Sequence, residues 1–187
     1  MEPETNFVLP QDGWYQIAAT GEFKHKPTGL DQIIDAEACQ GMADDFAHRA
    51  AEPNFGGILI DFDHFSLDPD KASEAAGWIT AVEPRESGLW AQIRWSDAGK
   101  AAVTGGRYRF VSPVWMKGDC ESCGNKKVRP MRLKNCALTN DPNIPGMVPL
   151  SNRATPNALA NATAKKKIDL AGLTVHIDRP IGFVQKG

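Results

Sequence analysis

Chemistry in this chain can gather around Gly57-Ile58-Leu59-Ile60-Asp61-Phe62-Asp63-His64-Phe65, where an apolar run leaves a Gly-Gly pair and ends on two carboxylates and an imidazole. The unperturbed pKa of histidine lies near neutrality, so His64 can take a proton and return it. A second stretch, Arg107-Tyr108-Arg109-Phe110-Val111-Ser112-Pro113-Val114-Trp115, supplies a hydroxyl. Pro113 forces Ser112 into an extended conformation and cannot donate to a ladder, which puts the pair at an edge or a bulge. A serine hydroxyl is barely ionised near neutral pH, so a nucleophilic Ser112 needs a base such as His64. Three readings compete: a serine hydrolase built on Ser112 and His64, a metal-dependent hydrolase with Asp61, Asp63 and His64 as ligands, and a non-catalytic structural protein. Strand alternation weighs against the metal set, because Asp63 would point away from His64.

The cysteines are Cys39, Cys120, Cys123 and Cys136. Cys120-Glu-Ser-Cys123, followed by Gly124, has the spacing of half a zinc knuckle, and Cys136 could add a third sulfur. With no second pair at that spacing, a polar hairpin loop with incidental thiols in a reducing cell is the favoured reading. The 187 residues suffice for one domain and a margin. A net charge of -2, from 21 basic and 23 acidic residues, gives no reason to expect nucleic acid or a membrane as partner. No apolar run approaches the roughly 20 residues that span a bilayer, and the acidic N-terminus lacks the features of a signal peptide. The expectation is a cytoplasmic protein.

The elements that must carry these residues read mainly as strands. Residues 1–11 look like a loose arm, 14–18 a first strand, and 21–29 a polar loop holding His25 and Pro27. Asp35 has the marks of an N-cap for a helix running to about Ala51, with Ala38, Met42 and Phe46 on its core face and His48 on or beside it. The strand that opens at Gly57 and ends on Asp61, Asp63 and His64 follows, then a polar loop over 66–73. Residues 76–82 and 89–95 alternate as an antiparallel hairpin around Glu86-Ser87-Gly88. One or two helical turns open at Ser96 or Asp97 and stop at Gly105-Gly106. The strand carrying Ser112 comes next, and a further strand covers 128–138, crossing Asn135. Residues 1–150 form the compact domain. Residues 151–167, rich in Ser, Asn, Ala, Thr and Lys, read as a flexible linker, and 168–187 as a fragment of a further module or a disordered tail.

Several ordered blocks closely resemble the I protein family of Mu-like phages: Ile60-Asp61-Phe62-Asp63-His64, Ala76-Gly77-Trp78-Ile79, Gly88-Leu89-Trp90, Trp95, Tyr108-Arg109-Phe110-Val111-Ser112-Pro113 and Ala137-Leu138-Thr139-Asn140-Asp141-Pro142. The similarity runs from about Trp14 to Leu150. It implies an α+β, mainly β fold: a compact antiparallel β-barrel with flanking helices, similar to herpesvirus assemblin. It also implies a prohead serine protease that cleaves scaffold and capsid-associated proteins during head maturation. The alternative is a weak or inactive scaffold or head-assembly protein with the protease fold.

Carried over by position, the resemblance makes Ser112 the nucleophile and His64 the general acid/base. The third member falls first on Asn135, then Asp141, then Asp61. Asparagine can orient an imidazole but cannot stabilise imidazolium by charge. Oxyanion donors would be backbone N–H groups or a basic side chain, with Arg129 and Arg132 as weak candidates. No cofactor and no metal are implied. The implied partners are phage scaffold and major capsid proteins, with self-association possible and neither nucleic acid nor membrane. The implied location is the host cytoplasm, inside the assembling prohead. The resemblance implies a long helical scaffold tail beyond the protease domain; a linker and a short segment stand in its place here, and the expectation is a truncated prophage copy. The linker offers Ala158, Ala160 and Ala162 as residues preceding a self-cleavage, with Ala154 disfavoured by Pro156.

Overall fold

The computed structural model of the chain describes residues 7–151. Ten strands and two helices follow one another as β1 (Trp14–Ala19), β2 (Gly21–Lys24), β3 (Asp31–Ile34), α1 (Ala36–Ala50), β4 (Ile58–Phe62), β5 (Gly77–Arg85), β6 (Gly88–Trp95), α2 (Asp97–Thr104), β7 (Phe110–Val114), β8 (Cys120–Ser122), β9 (Lys127–Pro130) and β10 (Asn135–Thr139). The main sheet has six strands in the order β1-β6-β5-β4-β10-β7, and a smaller sheet runs β2-β3-β9-β8. The architecture is mainly β with two helices. Pairing is antiparallel except for β4–β10 and β3–β9, which are parallel. The two ends of the main sheet, β1 and β7, pack against each other, so the sheet is nearly closed like a barrel. The gap is bridged by the segment after β10. There the Val148 N–H donates to Gln16 Oε1 of β1 at 2.9 Å, and the Leu150 N–H donates to the Arg109 carbonyl beside β7 at 2.9 Å.

Sequence chemistry explains why each helix sits where it does. Asp35 caps α1, its Oδ1 accepting the Ala38 N–H at 2.9 Å. Arg129 of β9 then grips that cap with ion pairs to Asp35 (2.8 Å) and Glu37 (3.0 Å). The opposite face of α1 buries Ala38, Cys39, Met42 and Phe46. Ser96 caps α2, accepting the Gly99 N–H at 3.0 Å while its own hydroxyl donates to the Ala76 carbonyl at 3.0 Å. Gly99 makes that seat possible, since a Cβ there would fall 1.8 Å from the Ala76 oxygen. The core is one cluster running through both helices and the main sheet, with Ile17, Ile34, Met42, Ile60, Ile79, Leu133 and Leu138 fully buried. Among the described residues no helix is long and apolar enough to cross a membrane.

Three sequence expectations change. The loop expected over 21–29 begins as β2, which pairs antiparallel with β3. The single strand expected over 128–138 is two strands in different sheets, β9 and β10, separated by a stretch without a ladder. The expected loose arm is docked from Phe7 onward. Its N–H donates to the Thr104 carbonyl at 3.0 Å, and its ring sits where Gly106 leaves room and under the Arg109 guanidinium at 4.9 Å. Ser151, the first residue expected in the linker, is buried. The remainder of that linker and the segment 168–187, including Ala154, Ala158, Ala160 and Ala162, lie outside the described residues.

Candidate active site

The site is built at the end of β4. A last ladder bond from the Asp63 N–H to the Leu138 carbonyl (3.0 Å) closes the β4–β10 pairing. Asp63 (φ 51°) and His64 (φ 62°) then both adopt the left-handed conformation. Such a backbone costs a non-glycine residue about 1–2 kcal/mol, and two in succession reverse the chain direction. A single 3-10 turn, Phe65–Leu67, completes the reversal. The loop is held there by the Ser66 N–H, which donates to Asp61 Oδ2 at 2.7 Å. The strand alternation invoked against a metal set therefore does not extend to Asp63 and His64, because β4 ends at Phe62. Among the described residues no group of three His, Cys, Asp or Glu side chains is arranged to hold a metal ion.

Register brings the distant residues together. Across β7, β10 and β4, Ser112 stands opposite Ala137 and Ala137 opposite Asp61. Residues opposite one another share a face of the sheet, so Ser112 and Asp61 flank the small Ala137 on one side. Asn135, two residues before Ala137, is on that same face. The other face carries Val111, Cys136, Leu138 and Ile60, all in the hydrophobic core. One side of the β4–β10–β7 unit is thus polar and nearly dry: Asp61 is 0% exposed, Ser112 and Asn135 6% each. The Asn135 Nδ2 donates to Ser66 Oγ at 2.7 Å, so Ser66 bridges Asn135 of β10 and Asp61 of β4.

Three polar atoms of this cluster are buried without a hydrogen-bond partner: Asp61 Oδ1, Asn135 Oδ1 and His64 Nδ1. Two can only accept, and the imidazole nitrogen can donate. Unsatisfied buried groups cost stability and are rare in folded proteins, and catalysis is one reason for keeping them. No hydrogen bond joins Ser112 and His64. Cys136, which alternates onto the core face, is no rival nucleophile, because burial first and the Asp61 carboxylate second push its thiol pKa far up.

The surroundings fix this geometry. The Tyr108 hydroxyl donates to Asp63 Oδ2 at 2.5 Å, tying the end of β4 to the chain leading into β7. Burial, and then that bond, push the Tyr108 pKa up to about 12. Asn140 clamps the same approach, accepting the Arg109 N–H at 3.0 Å and donating to the Arg107 carbonyl at 2.8 Å. Asp141 is exposed on the turn, where its N–H donates to Thr139 Oγ1. Arg129 is committed to α1, and Arg132 lies 3.7 Å from Asp45 and 3.8 Å from Asp119. His48 is exposed near the end of α1. Cys120 and Cys123 belong to the β8–β9 hairpin of the smaller sheet, whereas Cys136 is buried in the larger one; all four cysteines are free. Beside the His64 loop opens a cleft of about 590 Å³, with Phe62, Phe65 and Tyr108 among its walls. Sequence reasoning gave no role to Ser66 or Tyr108, whose importance arises from the chain reversal after β4.

Comparison with known proteins gives the chain its relatives. The chain is 28% identical over 186 residues to the Mu-like prophage FluMu I protein of Haemophilus influenzae, covering 86% of this chain and 49% of that protein. It is 27% identical over 190 residues to Protease I of Escherichia phage Mu, covering 89% of this chain and 50% of that one. The chain thus spans about half the length of these curated relatives. No solved structure matches it. The family model described as the N-terminal domain of the Mu-like prophage I protein matches residues 15–151, from the first strand to the last described residue. With both informative stretches inside that match, the chain belongs to the Mu-like prophage I protein family.

Proposed function

We propose that this chain is a serine endopeptidase of phage head maturation, cutting scaffold and capsid-associated proteins inside the assembling prohead in the host cytoplasm. One observation carries the reading: Ser112 and the buried Asp61 share a polar sheet face, and the loop of His64 is tied back to that face through Ser66. The relative named Protease I supports the peptidase class.

In the proposed reaction the Ser112 Oγ attacks the scissile carbonyl and passes its proton to His64. The imidazolium then protonates the leaving amine, and a water activated by the same imidazole hydrolyses the acyl-enzyme. Asp61 is the orienting acid in this proposal. It is the buried carboxylate with a free oxygen, and it has the charge to stabilise imidazolium that Asn135 lacks. Asn135 acts through Ser66, and the exposed Asp141 stays outside the reaction. Backbone N–H groups supply the oxyanion donors. Hydrogen bonds of such sites tighten in the substrate complex, which accommodates the unmade Ser112–His64 bond. That same unmade bond favours the second reading, a weak or inactive head-assembly protein. Incubating the purified chain and its Ser112→Ala variant with scaffold and capsid proteins of a Mu-like phage separates the two. Fragments appearing only with the wild-type chain support the protease, and no fragments with either leave the assembly role.

A further inference from the structure

We propose that the cleft beside the His64 loop is a substrate side-chain pocket that takes a bulky apolar residue with a carboxylate next to it. The inference rests on the peptidase reading. Neither Ser112 nor His64 lines the cleft; its walls Phe62 and Phe65 flank Asp63-His64 in the chain, and Tyr108 leads into the strand of Ser112. The Tyr108–Asp63 hydrogen bond holds those two walls together. At about 590 Å³ the cleft has the size of pockets that enclose small ligands or a few side chains. The aromatic rings favour an apolar occupant, whose burial drives binding in proportion to area.

Charge selects the neighbour of that residue. Three charged side chains line the cleft, Lys71, Arg107 and Glu74. Two are cations. The Lys71 ammonium lies 4.3 Å from the centre of the Phe65 ring, and the carboxylate it approaches, Asp68, is 3.8 Å away. Arg107 is exposed and its guanidinium has no ion-pair partner among the described residues. A guanidinium at the rim of an apolar hollow is the complement of a carboxylate one residue from a buried side chain. Glu74 on the same rim disfavours a second acid. The occupant is therefore an extended peptide with one bulky apolar residue and one adjoining Asp or Glu.

The test uses the full chain carrying Ser112→Ala, so that peptides are bound and not consumed. Fluorescence anisotropy is measured with labelled Ala-Ala-Leu-Asp-Ala-Ala and with the versions in which Leu becomes Ala or Asp becomes Lys. We expect the Leu/Asp peptide to bind about tenfold tighter than the Ala version and about fivefold tighter than the Lys version, the latter margin shrinking in high salt. Adding Arg107→Glu, an exposed change, should reverse the Asp-over-Lys preference. Adding Ala72→Trp, which fills the cleft from an exposed position, should weaken every Leu peptide about tenfold with an unchanged unfolding midpoint. Absence of peptide binding, or a preference untouched by Arg107→Glu, overturns the pocket. Binding with the expected preferences by a wild-type chain that cuts nothing keeps the pocket and sinks the peptidase reading. Cleavage without those preferences does the reverse.

Discussion

Removing the Ser112 hydroxyl or the His64 imidazole should cost peptidase activity on the order of a millionfold, as expected for members of one catalytic unit, and leave the unfolding midpoint nearly in place. Turnover of a labelled scaffold protein checks this, and a Ser112→Ala variant that digests at the wild-type rate removes the assignment. Asp61 and Asn135 should separate in the same assay. Asp61→Asn keeps the shape but loses the charge, and a drop of about ten-thousandfold is expected from comparable triads. Asn135→Ala should cost far less, because its amide reaches only Ser66. Activity should survive EDTA; loss on chelation, restored by a divalent ion, would revive the ligand set Asp61, Asp63 and His64. At this scale the sequence is readable where chemistry is intrinsic to residue type. Pro113 constrains Ser112 wherever it occurs, and histidine exchanges protons wherever it sits. Ser66 was hidden, since a serine in a polar loop gains its role only from two left-handed residues that no periodicity encodes.

Helices and strands yield their own tests. Gly99→Ala should destabilise the fold by about 1–3 kcal/mol or more, because the added methyl meets the Ala76 backbone and α2 must shift as a body. A lowered urea midpoint without loss of secondary structure is the expected reading. At the start of α1, the Arg129 hydrogen bond holds the Asp35 carboxyl below its ordinary value, against the opposing effect of burial. An unfolded chain binds a proton there more readily than the folded one. The contribution is thus complete above the ordinary value near 3.8 and is lost as pH falls through the lower folded value. Asp35→Asn, which still caps a helix, should therefore show a smaller fall in urea midpoint between pH 6 and pH 3 than the wild type. Caps, the core face of α1 and the hairpin of β5 and β6 were legible because each is written in local spacing. β2 was not. Gly21-Glu22-Phe23-Lys24 has one apolar residue, and its strand form depends on pairing with β3. Nor does local sequence reveal that a run through Pro130 changes sheets before Asn135.

For the molecule as a whole, a flexible linker would present the tail beyond residue 151 to the proposed peptidase at millimolar effective concentration. We expect intact-mass measurement to find a tail lost after Ala158, Ala160 or Ala162 in wild type and retained in Ser112→Ala. Equal loss from both would point to host proteases, and no loss from either ends the idea. Sheet order adds a constraint in time. β4 and β7, which carry the two halves of the candidate site, never pair with each other; β10 lies between them. A ribosome delivers Asp61, His64 and Ser112 well before Asn135–Thr139, and chains fold from the N-terminus as they emerge. Until β10 slides in, nucleophile and base have no common floor. On the proposed peptidase reading the nascent polypeptide is born harmless, and competence arrives only when synthesis has passed the strand that joins the halves.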